Sequence, residues 1–282
     1  MALKTEVVDR VPTYPGRVKM TPVSGQTNVY DMSRADSPVT EGTPINKALF
    51  DQKAYTLTEG VTVYVSTTGS DTTGTGESSA PYKTVQKAID SLPKCLGGYH
   101  AQIDIAAGTY DERVTVDGFY GGRLTIGVSG RTVTLRGISV MSSSGVRLYI
   151  SNLTYSATYT GTLLYADYGS DVTVLSGLTI RGGDASGISG VAAARGSLIN
   201  SPGVTIALLN CGGNAVYATS GAKITLGTVN GNSNTSYGLR ADLGGLITYS
   251  DKNLTATAGD STGSGGRILT ASGTALANAS VV

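Results

Sequence analysis

The chain has 282 residues, 21 basic and 20 acidic side chains, and a net charge of +1. Charged residues make up 15%, against about 25% in an average globular domain, and the 39 glycines are about twice the usual share. With no basic stripe, neither nucleic acid nor an anionic membrane is an expected partner. No apolar run approaches the ~18 residues of a membrane span, and the opening MALKTEVVDR lacks the apolar stretch of a secretory leader.

Three zones follow in chain order. Residues 1–58 hold Pro12, Pro15, Pro22, Pro38 and Pro44 within turn-rich text, and little of it alternates or repeats at a helical period. An extended arm ordered by a partner or by neighbouring chains is expected here. One short helix is expected at Ile45–Ala54, with Thr43 as its cap and Pro44 at its first position.

The second zone, 59–258, opens on VTVYVS (Val61–Ser66), a period-2 strand. A Gly/Ser/Thr loop follows. Then Val85, Ala88, Ile89 and Leu92 recur at i, i+3, i+4 and i+7, which predicts an amphipathic helix over 82–92 between Pro81 and Pro93. Its expected role is to cover the open N-terminal end of the strands that come next. AQIDIAAGTYDERVTVDG reads as two short strands around Gly108, one carrying Ile103 and Ile105, the other Val114 and Val116.

From there the chain repeats itself. Gly121, Gly145, Gly169, Gly196, Gly221 and Gly244 lie 24, 24, 27, 25 and 23 residues apart. Three positions after each stands an aliphatic residue: Leu124, Leu148, Val172, Ile199, Ile224 and Ile247. Five positions before the last five stand Val140, Leu164, Val191, Val216 and Leu239. Two residues further on the column is small: Ser142, Ala166, Ala193, Ala218 and Ala241. Alternate positions that stay apolar or small in every repeat describe the inward face of a strand, and the glycine permits the bend beside it. The predicted fold is therefore all-β, a right-handed parallel β-helix of about seven turns with one capping helix and an N-terminal arm. The last zone, 259–282, reads as a Gly/Ser linker followed by a weakly apolar capping or trimer-contact segment.

Two stretches carry a resemblance. YVSTTGSDTTGTGESSAPYKTVQKAIDSLP with IDIAAGTYDERVTV resembles the opening of pectate-lyase-like parallel β-helix proteins, a segment common in phage tailspikes and tail fibres. VDRVPTYPGRVKMTPVSGQTNVYDMSRADSPVTEGTPINKALFD resembles the leader of tail-fibre and receptor-binding proteins from phages and prophages of clostridium-like bacteria. The resemblance implies a virion tail component, a homotrimer, whose leader attaches to the baseplate or tail tip, with Tyr14, Tyr30 and Phe50 as attachment candidates. It implies host attachment through a bacterial surface polysaccharide. A structural tail connector and a polysaccharide-degrading tailspike with a site between subunits are the alternatives.

Within one chain the residues do not announce an enzyme, a metal or a cofactor. Asp167 and Asp242 share an offset but lie three turns apart, about 14 Å at the strand spacing, beyond the about 5–9.5 Å of paired glycosidase carboxyls. Asp184 has no evident carboxylate neighbour, the resemblance implies that Asp111 and Glu112 serve the first turn of the fold, and the single histidine, His100, reads as structural. Cys95 and Cys211, 116 residues apart, read as two reduced small hydrophobes rather than metal ligands. Binding fits better. The column before the small residues reads Tyr165, Ala192, Tyr217 and Arg240, and the column after it reads Asp167, Ala194, Thr219 and Asp242. Both should face outward, because strand faces alternate. Rings and carboxylates in one strip suit a glycan, or a contact with a neighbouring subunit, with Tyr155, Tyr159, Tyr168 and Tyr237 close in sequence. The candidates are Tyr165, Tyr217, Arg240, Asp167 and Asp242.

Overall fold

A computed structural model describes residues 11–12, 18–25, 27–34, 38–40, 56–159, 161–274 and 280–281. The chain divides into two compact units, Met1–Tyr55 and Thr56–Val282. In the first unit, Val18–Pro22 pairs antiparallel with Tyr30–Arg34, and Val11–Pro12 pairs antiparallel with Pro38–Thr40. The expected arm is thus partly folded on itself, because short β-runs on either side of a turn with Gly25 and Asn28 at positive φ can satisfy each other's backbone groups. The helix expected at Ile45–Ala54 lies outside the described residues.

The second unit is a parallel β-solenoid. Each turn contributes strands to three parallel ladders. The first ladder runs through Val61–Val65, His100–Ile105, Arg123–Gly127, Val146–Tyr149 and Asp171–Val174 into the front halves of Leu198–Leu209, Lys223–Asn234 and Leu246–Ala256, and ends at Arg267–Thr270. The second runs through Gly108–Thr109, Val133–Leu135, Asn152–Thr154 and Leu178–Arg181 into the rear halves of the same three long strands. The third holds Arg113–Asp117, Gly137–Met141, Leu164–Asp167, Val191–Ala193, Val216–Ala218, Leu239–Ala241, Ser261–Thr262 and Ser280–Val281. Seven turns are complete from His100 to Thr262.

The inward columns form one continuous core. Leu124, Val146, Val172, Ile199, Ile224, Ile247 and Ile268 stack on one another and are buried. Each such side chain contributes about 1.5–3 kcal/mol by leaving water. The stack corrects the sequence register at one place. Val146, not Leu148, is the partner of Leu124, and Leu148 pairs with Ile126. Likewise Ile138, not Val140, pairs with Leu164, and Val140 falls in the small column opposite Ala166. The corner before Gly145 is built differently, with Ser142 taking a left-handed conformation at φ 48. The offset is two residues, which preserves the inward face and so leaves no trace in the hydrophobic pattern.

The later corners share one design. Tyr168–Gly169, Arg195–Gly196, Ser220–Gly221, Leu243–Gly244 and Ser264–Gly265 all have positive φ at both residues, the pattern of a type I′ turn. Each closes with an N–H to carbonyl bond across it, as from Ala222 to Thr219 at 3.0 Å and from Gly245 to Asp242 at 2.8 Å. The turns also bond to one another: Gly196 N–H reaches Ser220 O at 3.1 Å, and Gly221 N–H reaches Leu243 O at 3.0 Å.

Residues Val85–Asp90 form a six-residue helix within the predicted 82–92 span. Thr84 caps it, Asp71 accepts from Lys83, Thr84 N and the Thr84 hydroxyl, and Glu112 accepts the N–H groups of Val85 and Gln86 at 2.7 and 3.0 Å. The Gln86 amide pairs with both backbone groups of Thr115, at 2.7 and 3.1 Å, as a neighbouring strand would. The tail of the chain differs from the linker expected from 259 onward. Ser261–Thr262 and Arg267–Thr270 continue two of the ladders. Their glycines serve the same Ser264–Gly265 corner as the earlier turns, so a Gly/Ser-rich text here is a solenoid corner rather than a tether.

Candidate functional site

The third ladder brings the predicted strip together. Its central column is Thr115, Ser139, Tyr165, Ala192, Tyr217, Arg240 and Ser261, each pairing with the next. Tyr165 and Tyr217 therefore stand two rungs apart, about 9–10 Å at the strand spacing. Asp167 and Asp242 stay three rungs apart, as their offsets require.

Two clusters form along this strip. In the first, Asp167 accepts the Tyr165 hydroxyl at 2.6 Å, the Tyr168 N–H at 2.8 Å and the Arg195 Nε–H at 2.7 Å, and it also meets the second guanidinium nitrogen of Arg195. The Arg195 guanidinium lies over the Tyr168 ring, 3.9 Å from its centre. The carboxylate was expected to face outward and be available. Instead only 1% of its side chain is exposed, because Arg195, Tyr165 and Tyr168 close over it. Burial pushes its pKa up, but the Arg195, Tyr165 and Tyr168 donors outweigh that and hold it below the usual carboxylate value. The Tyr165 hydroxyl is pushed to about 12, first by burial and then by the Asp167 carboxylate.

In the second cluster the tyrosine reaches one rung forward. The Tyr217 hydroxyl donates to both oxygens of Asp242, at 2.9 and 3.1 Å, and Arg240 Nε lies 3.3 Å from Asp242. The Arg240 guanidinium sits 5.1 Å from the Tyr237 ring centre and 5.7 Å from that of Tyr217. Of the tyrosines close in sequence, Tyr168 and Tyr237 join the strip. Tyr159 turns away to donate to Asp111 O, and Tyr155 packs against the core.

Arg195 escaped the sequence reading. Its signal was the column one before each glycine, Tyr168, Arg195, Ser220 and Leu243, which the left-handed corners push outward. Tyr120, Tyr168 and Leu243, all beside anchor glycines, are three of the four large hydrophobics exposed in the solenoid among the described residues; Tyr99 is the fourth. The strip and its corner thus combine rings, hydroxyls and two carboxylates, each matched by a guanidinium. Such a surface is close to neutral, with its carboxylates largely covered and its guanidinia partly exposed.

The remaining candidates lie elsewhere. Asp111 pairs with Arg136 at 2.6 Å, Asp184 accepts from Asn210, Glu112 serves the helix, and Cys211 is buried, its thiol pushed up to about 12 by desolvation. Tyr30 is exposed in the N-terminal unit, while Tyr14 and Phe50 lie outside the described residues.

No family model matches the chain, and no curated protein does. Among solved structures the chain is similar to a rhamnogalacturonan lyase, at 12% identity and a TM-score of 0.30, over 73% of this chain and 74% of that one. What that enzyme acts on is a property of that enzyme.

Proposed function

We propose that this β-solenoid binds a carbohydrate polymer along the Tyr165–Tyr217 strip, and that it does so as a phage or phage-like tail fibre. The observation that carries the binding reading is the pair of Tyr–Asp–Arg clusters on one ladder, with rings two rungs apart. Aromatic rings offer apolar faces to sugars at small entropy cost, and the partly exposed guanidinia of Arg195 and Arg240 can donate to hydroxyls. Two rungs match the length of about two sugar rings in an extended chain, so the polymer would lie along the solenoid axis. The tail role rests on the resemblance of the leader and of the first-turn segment. In that reading the leader joins the baseplate or tail tip of the virion, and three copies associate laterally.

The test uses purified protein with host cells and their envelope polysaccharide, following co-sedimentation and polymer size by chromatography together. Binding with intact polymer is the expected result. Shortened polymer would make the strip, or a site between subunits, degradative. No binding would leave a structural tail connector. Native mass of a single chain, 28.7 kDa, would overturn the trimer.

A further inference from the structure

The outward face of the first ladder carries a second constellation, apart from the strip. His100 is the only histidine in the chain. It pairs directly with Arg123 on the next rung, and its Nε2 lies 2.8 Å from the Thr125 hydroxyl. Thr125 in turn pairs with Arg147 one rung further. Thr125 points outward yet is buried, at 4% exposure. Both arginines are exposed, and Gly145, next to Arg123 along its column, adds no side chain.

Neither guanidinium is taken up by an ion pair, a state shared in the described solenoid by Arg113, Arg181 and Arg267; what sets these two apart is their place beside the one histidine. Arg131 pairs with Asp104, Arg136 with Asp111, Arg195 with Asp167 and Arg240 with Asp242. Among the described residues Arg123 and Arg147 pair with no carboxylate. Asp171 is two rungs beyond Arg123 in its column, about 9–10 Å away, and diagonal to Arg147 on the next rung, yet forms an ion pair with neither; Asp104 on the histidine's own strand is held by Arg131. Arg123 and Arg147 stand on adjacent rungs two residues out of register, diagonal neighbours within reach of long side chains, so their like charges repel and a bound anion would relieve that repulsion.

We propose that His100, Arg123 and Arg147 form a binding site for a tetrahedral oxyanion, a phosphate or sulfate group. The planar forks of two arginines match the edges of such a group. The imidazole adds a third donor when it is protonated. In the free protein the imidazole's pKa is held below its ordinary value, first by burial and then by Arg123 and Arg147. An anion between these groups cancels the repulsion, so binding takes up a proton and strengthens as pH falls. The site does not depend on the tyrosine strip and stands or falls separately from it.

Because the histidine is unique, its ring-proton resonance reports the site without assignment. The full chain is titrated with pH in sodium chloride and in inorganic phosphate at equal ionic strength. The expected result is a saturable upward movement of the His100 pKa in phosphate alone. Arg147→Gln raises the pKa in chloride and abolishes the phosphate effect, and Lys223→Gln, on the same ladder four rungs beyond Arg123, leaves it intact. Should Arg147→Gln fail to fold, as judged by resonance dispersion, the exposed Arg123→Gln gives the same comparison. Identical titrations in phosphate and chloride, or a phosphate effect that survives the loss of either arginine, overturn the proposal. A poly(glycerol phosphate) arm separates the two sources. Saturation at lower phosphate-group concentration than the free ion assigns the site to a polymer, and parity assigns it to the free ion.

Discussion

The hydroxyl of Ser170 accepts the backbone N–H of Ser143, one turn earlier, at 3.2 Å. It donates at the same time to the carbonyl of Asp167 at 2.6 Å and lies 3.1 Å from that of Val140. Ser197 repeats the move, accepting the Ser170 N–H at 3.1 Å. These buried hydroxyls satisfy backbone groups that the corner removes from the ladder. Ser170→Ala leaves the Ser143 N–H buried without a partner, at a cost of about 1–3 kcal/mol. The midpoint of urea unfolding should fall accordingly, with an unchanged slope. An unaltered midpoint would mean that water reaches the corner.

Two glycines separate conformational from steric need. Gly221 has φ 74 and open space where a Cβ would stand. Gly221→Ala therefore costs only the left-handed penalty, about 1–2 kcal/mol. A Cβ on Gly245 would lie 2.3 Å from the Ala218 carbonyl oxygen, in backbone that the rungs on both sides hold in place. Gly245→Ala should cost at least the upper end of overpacking, about 3 kcal/mol. Conversely, Ser220 already sits at φ 53, and Ser220→Gly should stabilise by up to about 1 kcal/mol. Thermal melting of the three variants gives the order, and any other order contradicts this account of the corners.

Much of this architecture could be read from residue spacing. The glycine corners and the inward columns predicted parallel turns because strand faces alternate and the core must be continuous. Three features could not be read. The slip at Gly145 is even-numbered and keeps every side chain on its face. The later corners place Tyr168, Arg195 and Leu243 in left-handed backbone, which alternation does not describe. The outward position of Asp167 predicted exposure, but two neighbouring rungs supply Tyr165, Tyr168 and Arg195 to cover it. The strip was therefore legible as a column and illegible as a hydrogen-bonded network.

Asp167 makes stability depend on acid pH. Its folded pKa lies below the ordinary value of 3.8, so the unfolded chain binds a proton first as pH falls. The stabilisation is fully present above the unfolded value and drains away as pH drops through the folded one. Melting temperatures between about pH 6 and pH 2 should fall more steeply for the native chain than for Asp167→Asn, whose side chain does not titrate. Arg195→Ala should shift the loss to higher pH, because it removes the strongest donor to the carboxylate. Parallel curves for the native chain and Asp167→Asn would show that other carboxylates dominate.

The strip hypothesis separates rings from hydroxyls. Tyr165→Phe with Tyr217→Phe keeps both faces but removes the bonds to Asp167 and Asp242. If apolar ring contact holds the sugar, polymer binding should survive in this variant, with some loss of thermal stability. Tyr165→Ala with Tyr217→Ala removes the faces as well. Binding should then weaken at least tenfold, equal to about 1.4 kcal/mol, while native mass stays that of the parent assembly. Loss of the assembly instead would mean that the rings pack against a neighbouring copy. Equal loss in both double variants would mean that the carboxylate network, rather than the rings, carries the ligand.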